Sequence, residues 1–253
     1  MNINNISVKA LLSGEISNEY DDKIFWYASE VVINKNQIDI YVDNNNLFTF
    51  DTIDLNIKKI STLMSQKQSS NSRLKDVLVS SGSFLFINDK LAVTQRSFTT
   101  TYDPGFWTTP AGRCDRTIFE TGIKETIEEI QIKQENKILY PDIARKYIPS
   151  KENIVFYNTS FVNDRIPIKR FDVKLFLDNT FIEASCLWMH YSQKVNTLEF
   201  RIPLFAKLNE EKLVLTNPEY GNATDLKTIK ELQNLKTVPA LKKLIEEVTN
   251  GKS

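Results

Sequence analysis

Residues 109–132 read TPAGRCDRTIFETGIKETIEEIQI, and the placing of one glycine and three acids decides how the chain is read. Gly112 directly follows Pro110-Ala111, in a chain with only seven glycines among 253 residues. Glu125, Glu128 and Glu129 fall at i, i+3 and i+4, a spacing that on a helix brings three carboxylates out on one face, within reach of a common point. Such a set repels itself unless positive charge lies among it. Solvent and lysines fill that role on a plain amphipathic helix; a hard divalent cation such as Mg²⁺, which takes oxygen ligands, fills it at a metal site.

The pattern predicts a helix from about Thr117 to Ile130. Thr117 is a plausible N-cap with Glu120 at the capping-box spacing, and Ile118, Ile123, Ile127 and Ile130 supply an apolar stripe to pack on a sheet. Upstream, SGSFLFINDKLAVTQRS reads as a hairpin with strands Phe84 to Ile87 and Leu91 to Val93 around the turn Asn88-Asp89-Lys90. An aromatic, turn-rich run, TTTYDPGFWTTPAG, links it to the helix.

Farther out, Lys23 to Leu55 is rich in Ile, Val, Phe and Tyr and broken by Asn-rich turns, which predicts a small β-rich unit at the N-terminus. The polar SQKQSSNS, residues 65–72, reads as a linker, so the expected organisation is an N-terminal unit over residues 1–70 and a larger domain over 75–253. Beyond the helix, strand-like runs recur at NIVFYNTSFV, FDVKLFL, CLWMHYS and LEFRIPLFAKL, and TIKELQNLKTVPALKKLIEEV ends in an amphipathic helix. Strands with one central and one late helix indicate the α+β class, a mixed sheet covered by helices.

Composition removes several chemistries. With 32 basic and 32 acidic residues the formal net charge is zero, so no global field draws in nucleic acid or an anionic membrane. Cys114 and Cys186 are too few for a disulfide framework or a cysteine zinc site, and with no leader or spanning run read from the chain a cytoplasmic setting is expected. His190, the single histidine, excludes sites that need a pair, and its apolar surroundings in CLWMHYS suit a packed residue. A carboxylate is left as the activating group.

Pro110-Ala111-Gly112 followed by Lys124-Glu125-Thr126-Ile127-Glu128-Glu129-Ile130-Gln131-Ile132 resembles the signature of the Nudix hydrolases, G-x5-E-x7-R-E-U-x-E-E-x-G-U with U apolar. The likeness covers roughly residues 80–245, and the hairpin, Gln95-Arg96, Phe106-Trp107 and the late helix agree with it. It departs from the pattern in four places. Arg116 stands where the first glutamate belongs, after a loop two residues short with Asp115 beside it; Lys124 replaces an arginine; Thr126 occupies an apolar position; and Gln131 replaces the glycine that closes the helix.

The resemblance implies Mg²⁺- or Mn²⁺-dependent hydrolysis of a nucleoside diphosphate linked to another moiety, with ADP-ribose-like, NAD-like and dinucleoside polyphosphate substrates in view. It implies Glu125, Glu128 and Glu129 as metal ligands with the Gly112 backbone beside them, one of the paired glutamates activating water, and Lys124 orienting the acids. Glu199, Glu219 and Asp225 are candidates for a further carboxylate from a late loop. Arg96, Arg113 and Arg116 are candidates for phosphate contacts or a solvated surface, and Phe106 and Trp107 for base stacking or core packing. Two other readings stay open: a capped-RNA hydrolase, which lacks the basic strip RNA favours, and a catalytically retired module binding a nucleotide or partner. Homodimerisation through the N-terminal unit is expected by analogy.

Overall fold

The computed structural model describes residues 25–33, 37–41, 47–48, 72–114, 118–161, 172–177, 180–184, 188–192, 196–220 and 222–250. In chain order, the strands before the central helix are β1 (Phe25–Ile33), β2 (Gln37–Tyr41), β3 (Leu47–Phe48), β4 (Ser72–Ile87), β5 (Lys90–Gln95), β6 (Trp107–Thr108) and β7 (Ala111–Arg113). The central helix is α1 (Ile118–Glu129), followed by β8 (Gln131–Gln134), β9 (Lys137–Pro141), a 3-10 turn (Asp142–Lys146) and β10 (Ile154–Tyr157). Then come β11 (Asp172–Leu177), β12 (Thr180–Ala184), β13 (Trp188–Ser192), β14 (Thr197–Ala206), β15 (Leu213–Thr216), β16 (Thr224–Lys227), α2 (Ile229–Leu232) and α3 (Pro239–Asn250). The class is α+β.

Two compact units divide the chain, each assembled from three pieces: Met1–Ser81, Gly112–Thr121 and Lys169–Phe200 in the first, Gly82–Ala111, Gly122–Ile168 and Arg201–Ser253 in the second. The linker expected at 65–72 lies, but for Ser72, outside the described residues. In the first unit the sheet order is β12-β11-β2-β1-β4-β14-β13. β1 pairs antiparallel with both β2 and the start of β4, in the register Ile33↔Ser72 and Tyr27↔Leu78, whereas β11 runs parallel to β2. β4 begins at Ser72, well before the expected Phe84, because the charged pair Lys75-Asp76 hides a strand whose Val77 and Val79 are fully buried. Cys114 is buried here, its N–H donating to the Val79 carbonyl at 3.0 Å, and Cys186 lies outside the described residues. His190 stacks on Trp188 with ring centroids 5.9 Å apart, and its Nδ1 lies 4.0 Å from Glu199.

In the second unit β5 pairs with the end of β4, with β6 and with β16, and a separate sheet has the order β10-β9-β8-β15, with β10 parallel to β9. The β4–β5 hairpin closes on Asn88 and Asp89 alone, at φ 47° and 69°, with Ile87 opposite Lys90. Two successive left-handed residues make the tight turn that matches strand twist, and Asn and Asp tolerate that conformation better than other side chains. Lys90 therefore belongs to the strand rather than to the turn. The Asn88 amide also bonds both backbone groups of Leu208, tying the turn down. On α3, Ala240, Leu241, Leu244, Ile245 and Val248 are buried at helical spacing, behind a proline at the first helical position. α2 starts with a capping box, in which Thr228 and Glu231 each accept from the other's backbone N–H.

α1 departs from the expected stripe. Ile118, Ile123 and Ile130 are buried, but Ile127 is only half-buried, and Thr121, Lys124, Thr126 and Glu129 are buried with them. A helix that hides a lysine and a glutamate has been shaped by more than core packing. Thr117, the proposed cap, lies outside the described residues.

The approach to the helix is fixed by Gly82. A Cβ built there would lie 1.9 Å from the Pro110 carbonyl oxygen, and the same carbonyl accepts the Ser83 N–H at 3.0 Å. The Pro110-Ala111 backbone thus rests directly on β4, which leaves no room for a side chain. Gly82→Ala should cost about 2–3 kcal/mol, because the obstruction is backbone on both sides; urea unfolding at matched pH checks this, and a loss under about 0.5 kcal/mol would show that the turn yields.

Candidate functional site

The candidate acids Glu125, Glu128 and Glu129, with Lys124, lie in the second unit on the last two turns of α1. Glu129, the final residue of the helix, is only 8% exposed. Burial pushes its carboxyl well above the usual range, and the neighbouring charges of Glu125 and Glu219 push it the same way; the Ala111 N–H, which donates to it, and the Arg201 guanidinium pull it back. Glu125 and Glu129 are one turn apart on the same helical face. Glu128 is turned to Lys124, whose ammonium lies 3.7 Å from its carboxylate. The lysine that replaces the signature's arginine is itself buried, so its charge is held against the helix surface rather than in solvent.

Of the three late candidates, Glu219 is the one whose charge acts on Glu129. Its loop is pinned by the buried Asn217, whose amide donates to Thr94 Oγ1 at 3.2 Å and whose Oδ1 accepts the Tyr220 N–H at 2.8 Å. A side chain that closes its own turn and also reaches the sheet leaves Glu219 little freedom. The Tyr220 ring stays 62% exposed, while its hydroxyl is pushed up by desolvation and then by Glu219, Glu129 and Glu125. The other two late candidates are occupied differently. Glu199 faces His190 in the first unit, and Asp225 pairs with Lys227 at 2.5 Å and accepts the Leu226 N–H at 2.8 Å.

Buried polar contacts hold this end of α1 in place. Thr126 Oγ1 lies 2.6 Å from the Gly122 carbonyl and 2.6 Å from Ser83 Oγ. A carbonyl only accepts, so Thr126 donates there and the two hydroxyls share the other bond. A hydroxyl at the signature's apolar position thus serves as a bolt between helix and β4. Arg201, 3% exposed on β14, donates from Nε to Thr109 Oγ1 at 3.3 Å. Gln131 enters β8 without a left-handed φ, and the helix closes through the Ile130 N–H to the Thr126 carbonyl at 3.0 Å, so no glycine is required there.

The remaining candidates are dispersed. Gly112 sits in β7 of the first unit; among the described glycines only Gly105 has a positive φ. Arg113 is half-buried in that same unit, and Asp115 and Arg116 lie outside the described residues. Arg96 donates from Nε to the Tyr102 carbonyl at 3.1 Å, bracing its own loop. Trp107 is held in β6, its N–H donating to Lys236 at 2.8 Å and its carbonyl accepting from Val238 at 3.0 Å, with the Lys227 ammonium 6.0 Å from the ring centre. Phe106 lines a cavity of about 620 Å³ with Leu232, Leu235, Lys236 and Ile245; none of Glu125, Glu129 and Glu219 is among its walls.

Sequence reading did not find Arg201 or the Ala111 N–H, and it could not choose Glu219 from three late acids. An arginine at an alternating strand position, between the buried Phe200 and Ile202, was the available signal for the first. Among the described residues no group of three His, Cys, Asp or Glu side chains is drawn close enough to hold a metal ion as it stands. The donors nonetheless suit a hard divalent cation: oxygen-only, mutually repelling, and including a carboxyl whose charged form burial disfavours and a cation would favour.

No family model matches the chain, and no curated protein matches it. In structure the chain is similar to solved Nudix hydrolases. A bifunctional NMN adenylyltransferase/ADP ribose pyrophosphatase from Francisella tularensis, solved with AMP and a Mn ion, aligns at 14% identity and TM-score 0.40 over 80% of this chain and 47% of that one. The chain therefore spans about half of that enzyme's length. An Ap4A hydrolase of C. elegans aligns at 12% identity and TM-score 0.39 over 70% of this chain and 98% of that one. A Nudix hydrolase from Nitrosomonas europaea aligns at 12% identity and TM-score 0.35 over 70% and 91%.

The burial of Glu129 has a consequence for stability without metal. Its folded-state pKa lies above the unfolded value, so the folded chain holds the proton more tightly; this contribution is fully present below the ordinary Glu range and is lost as pH rises through the folded value. In EDTA the wild type should weaken as pH rises above the ordinary Glu range, while Glu129→Gln should show a shallower slope. Urea unfolding over a pH series that starts in the ordinary Glu range measures both; equal slopes would assign the effect to another group.

Proposed function

We propose that the chain is a divalent-metal-dependent pyrophosphohydrolase acting on a nucleoside diphosphate linked to another moiety. The observation that carries this is the buried Glu129, with Glu125 one helical turn away and the charge of Glu219 acting on it from a pinned loop. The match of residues 110–132 to the Nudix signature supports the same reading. A bound Mg²⁺ or Mn²⁺ would neutralise diphosphate charge and make an attacking water more acidic. Glu125 and Glu129 would hold it from the helix, with Glu219 facing them, and Glu128 would complete the set once released from Lys124.

The chain's own groups account for the rest. The raised carboxyl of Glu129 is moved toward the range in which a carboxylate accepts and returns a proton near neutrality. Lys124 holds Glu128 in reserve and limits the repulsion along the helix face. Substrates of the ADP-ribose, NAD or dinucleoside polyphosphate type fit a nucleotide with its diphosphate at the acids, in a cytoplasmic setting. A homodimer through the N-terminal strands belongs to the same reading.

The second reading, a module that binds a nucleotide or partner without turnover, is favoured by one feature: Glu128 is already engaged by Lys124. ADP-ribose, NADH, diadenosine polyphosphates, nucleoside triphosphates and a capped RNA, incubated with Mg²⁺ or Mn²⁺ and resolved by chromatography, separate the two. The enzyme reading expects cleavage at a phosphorus–oxygen bond of one class, reduced at least about 100-fold in Glu129→Gln and Glu128→Gln with folding retained. Nucleotide binding without cleavage at any metal concentration would establish the module instead, and cleavage confined to capped RNA would move the substrate class.

A further inference from the structure

We propose that Arg201 is the positioning residue for Glu129, doing from strand β14 what the signature assigns to an arginine on the helix itself. The inference rests on the enzymatic reading above. At the signature position this chain carries Lys124, and its ammonium is drawn to Glu128, 3.7 Å away. The helix therefore lacks a planar, forked cation for its last acid, and a point charge on a flexible stem does not replace one.

Arg201 supplies it from outside. Strand alternation puts Leu198, Phe200, Ile202 and Leu204 on one face of β14 and Arg201 on the other, where it is also buried, 3% exposed. A guanidinium taken that far from water is costly unless its hydrogen bonds and charge are matched. Its Nε–H donates to Thr109 Oγ1 at 3.3 Å, and Thr109 is itself buried. Two residues later the Ala111 N–H donates to the Glu129 carboxylate. Between them the Pro110 carbonyl is fixed by the Ser83 N–H at 3.0 Å. Arg201 thus braces one end of a three-residue turn whose other end aims the carboxylate, while its charge pulls on that same carboxylate across the turn. The direction of Glu129, not merely its ionisation, depends on this brace.

Three variants of the full chain test it: Arg201→Met, Arg201→Lys and Thr109→Val, which keeps the charge and removes the acceptor. Mn²⁺ binding to the metal-free protein, measured by calorimetry, gives a readout that needs no turnover. A positioning role expects Mn²⁺ affinity to fall about tenfold in both Arg201→Met and Thr109→Val. It also expects kcat to fall by a similar factor with KM changed less than about threefold, and Arg201→Lys to recover part of kcat. Tighter Mn²⁺ binding in Arg201→Met would overturn the proposal, since a cation acting by charge alone repels the metal and its removal favours binding. Wild-type affinity and kcat in Thr109→Val would overturn it too, and that variant remains informative if Arg201→Met does not fold. A rise in KM at constant kcat would make Arg201 a substrate contact instead. A wild type that neither binds Mn²⁺ nor cleaves any nucleotide refutes the enzymatic reading itself and this inference with it; unchanged variants of an active wild type refute the inference alone.

Discussion

The organising constraint is a carboxylate buried beside two others. Placing Glu129 at 8% exposure next to Glu125 and Glu219 opposes both solvation and Coulomb's law. Each neighbouring feature answers that opposition in part. The Ala111 N–H and Arg201 act on the charge directly, Lys124 absorbs Glu128, and Asn217 keeps Glu219 where it stands. A sequence selected for stability alone would put leucine at position 129, so the arrangement has the mark of a site whose local cost is borne by the core around it.

That core is conventional, and the division between the two explains what the sequence discloses. The β4–β5 hairpin, the strands β10, β11, β13 and β14, and the final amphipathic helix are legible because each is a local run of apolar and β-branched or aromatic residues, or an apolar stripe at helical spacing. The start of β4 is not, since Lys75 and Asp76 interrupt the apolar pattern of a strand whose partners lie far away in the chain. α1 is legible as a helix but not in its packing: Thr121, Lys124, Thr126 and Glu129 are buried for polar reasons that a hydrophobic stripe does not record.

For the candidate site, local spacing locates the glutamates because i, i+3 and i+4 are near neighbours on any helix. It cannot say which of them turns to a lysine and which turns inward, because that depends on β14 and on the loop at Asn217, remote in sequence. Glycine shows the same limit. Gly112 attracts notice through its neighbours Pro110 and Ala111, yet the backbone contact that tolerates no side chain is at Gly82, thirty positions earlier by number. Thr126, a mismatch to the signature on paper, is a buried hydrogen-bonding group opposite Ser83.

The three-piece make-up of the second unit bears on when the acidic cluster comes into being as the chain folds. Thr109, the glutamates of α1, and the pair Arg201 and Glu219 come from three separate pieces, the last of them reached only after the chain has passed through residues Lys169–Phe200 of the first unit. Contacts at such long sequence separation form slowly, since loop-closure entropy is lost before the contact returns anything. The hairpin at Asn88-Asp89 and the turns of α1 need only local contacts and close while Glu219 is still solvated and far away. The repulsion that Glu219 adds to Glu125 and Glu129 therefore arises only with these late, long-range contacts. The order of the chain thus keeps its least favourable interaction out of the steps in which folding is most easily misdirected.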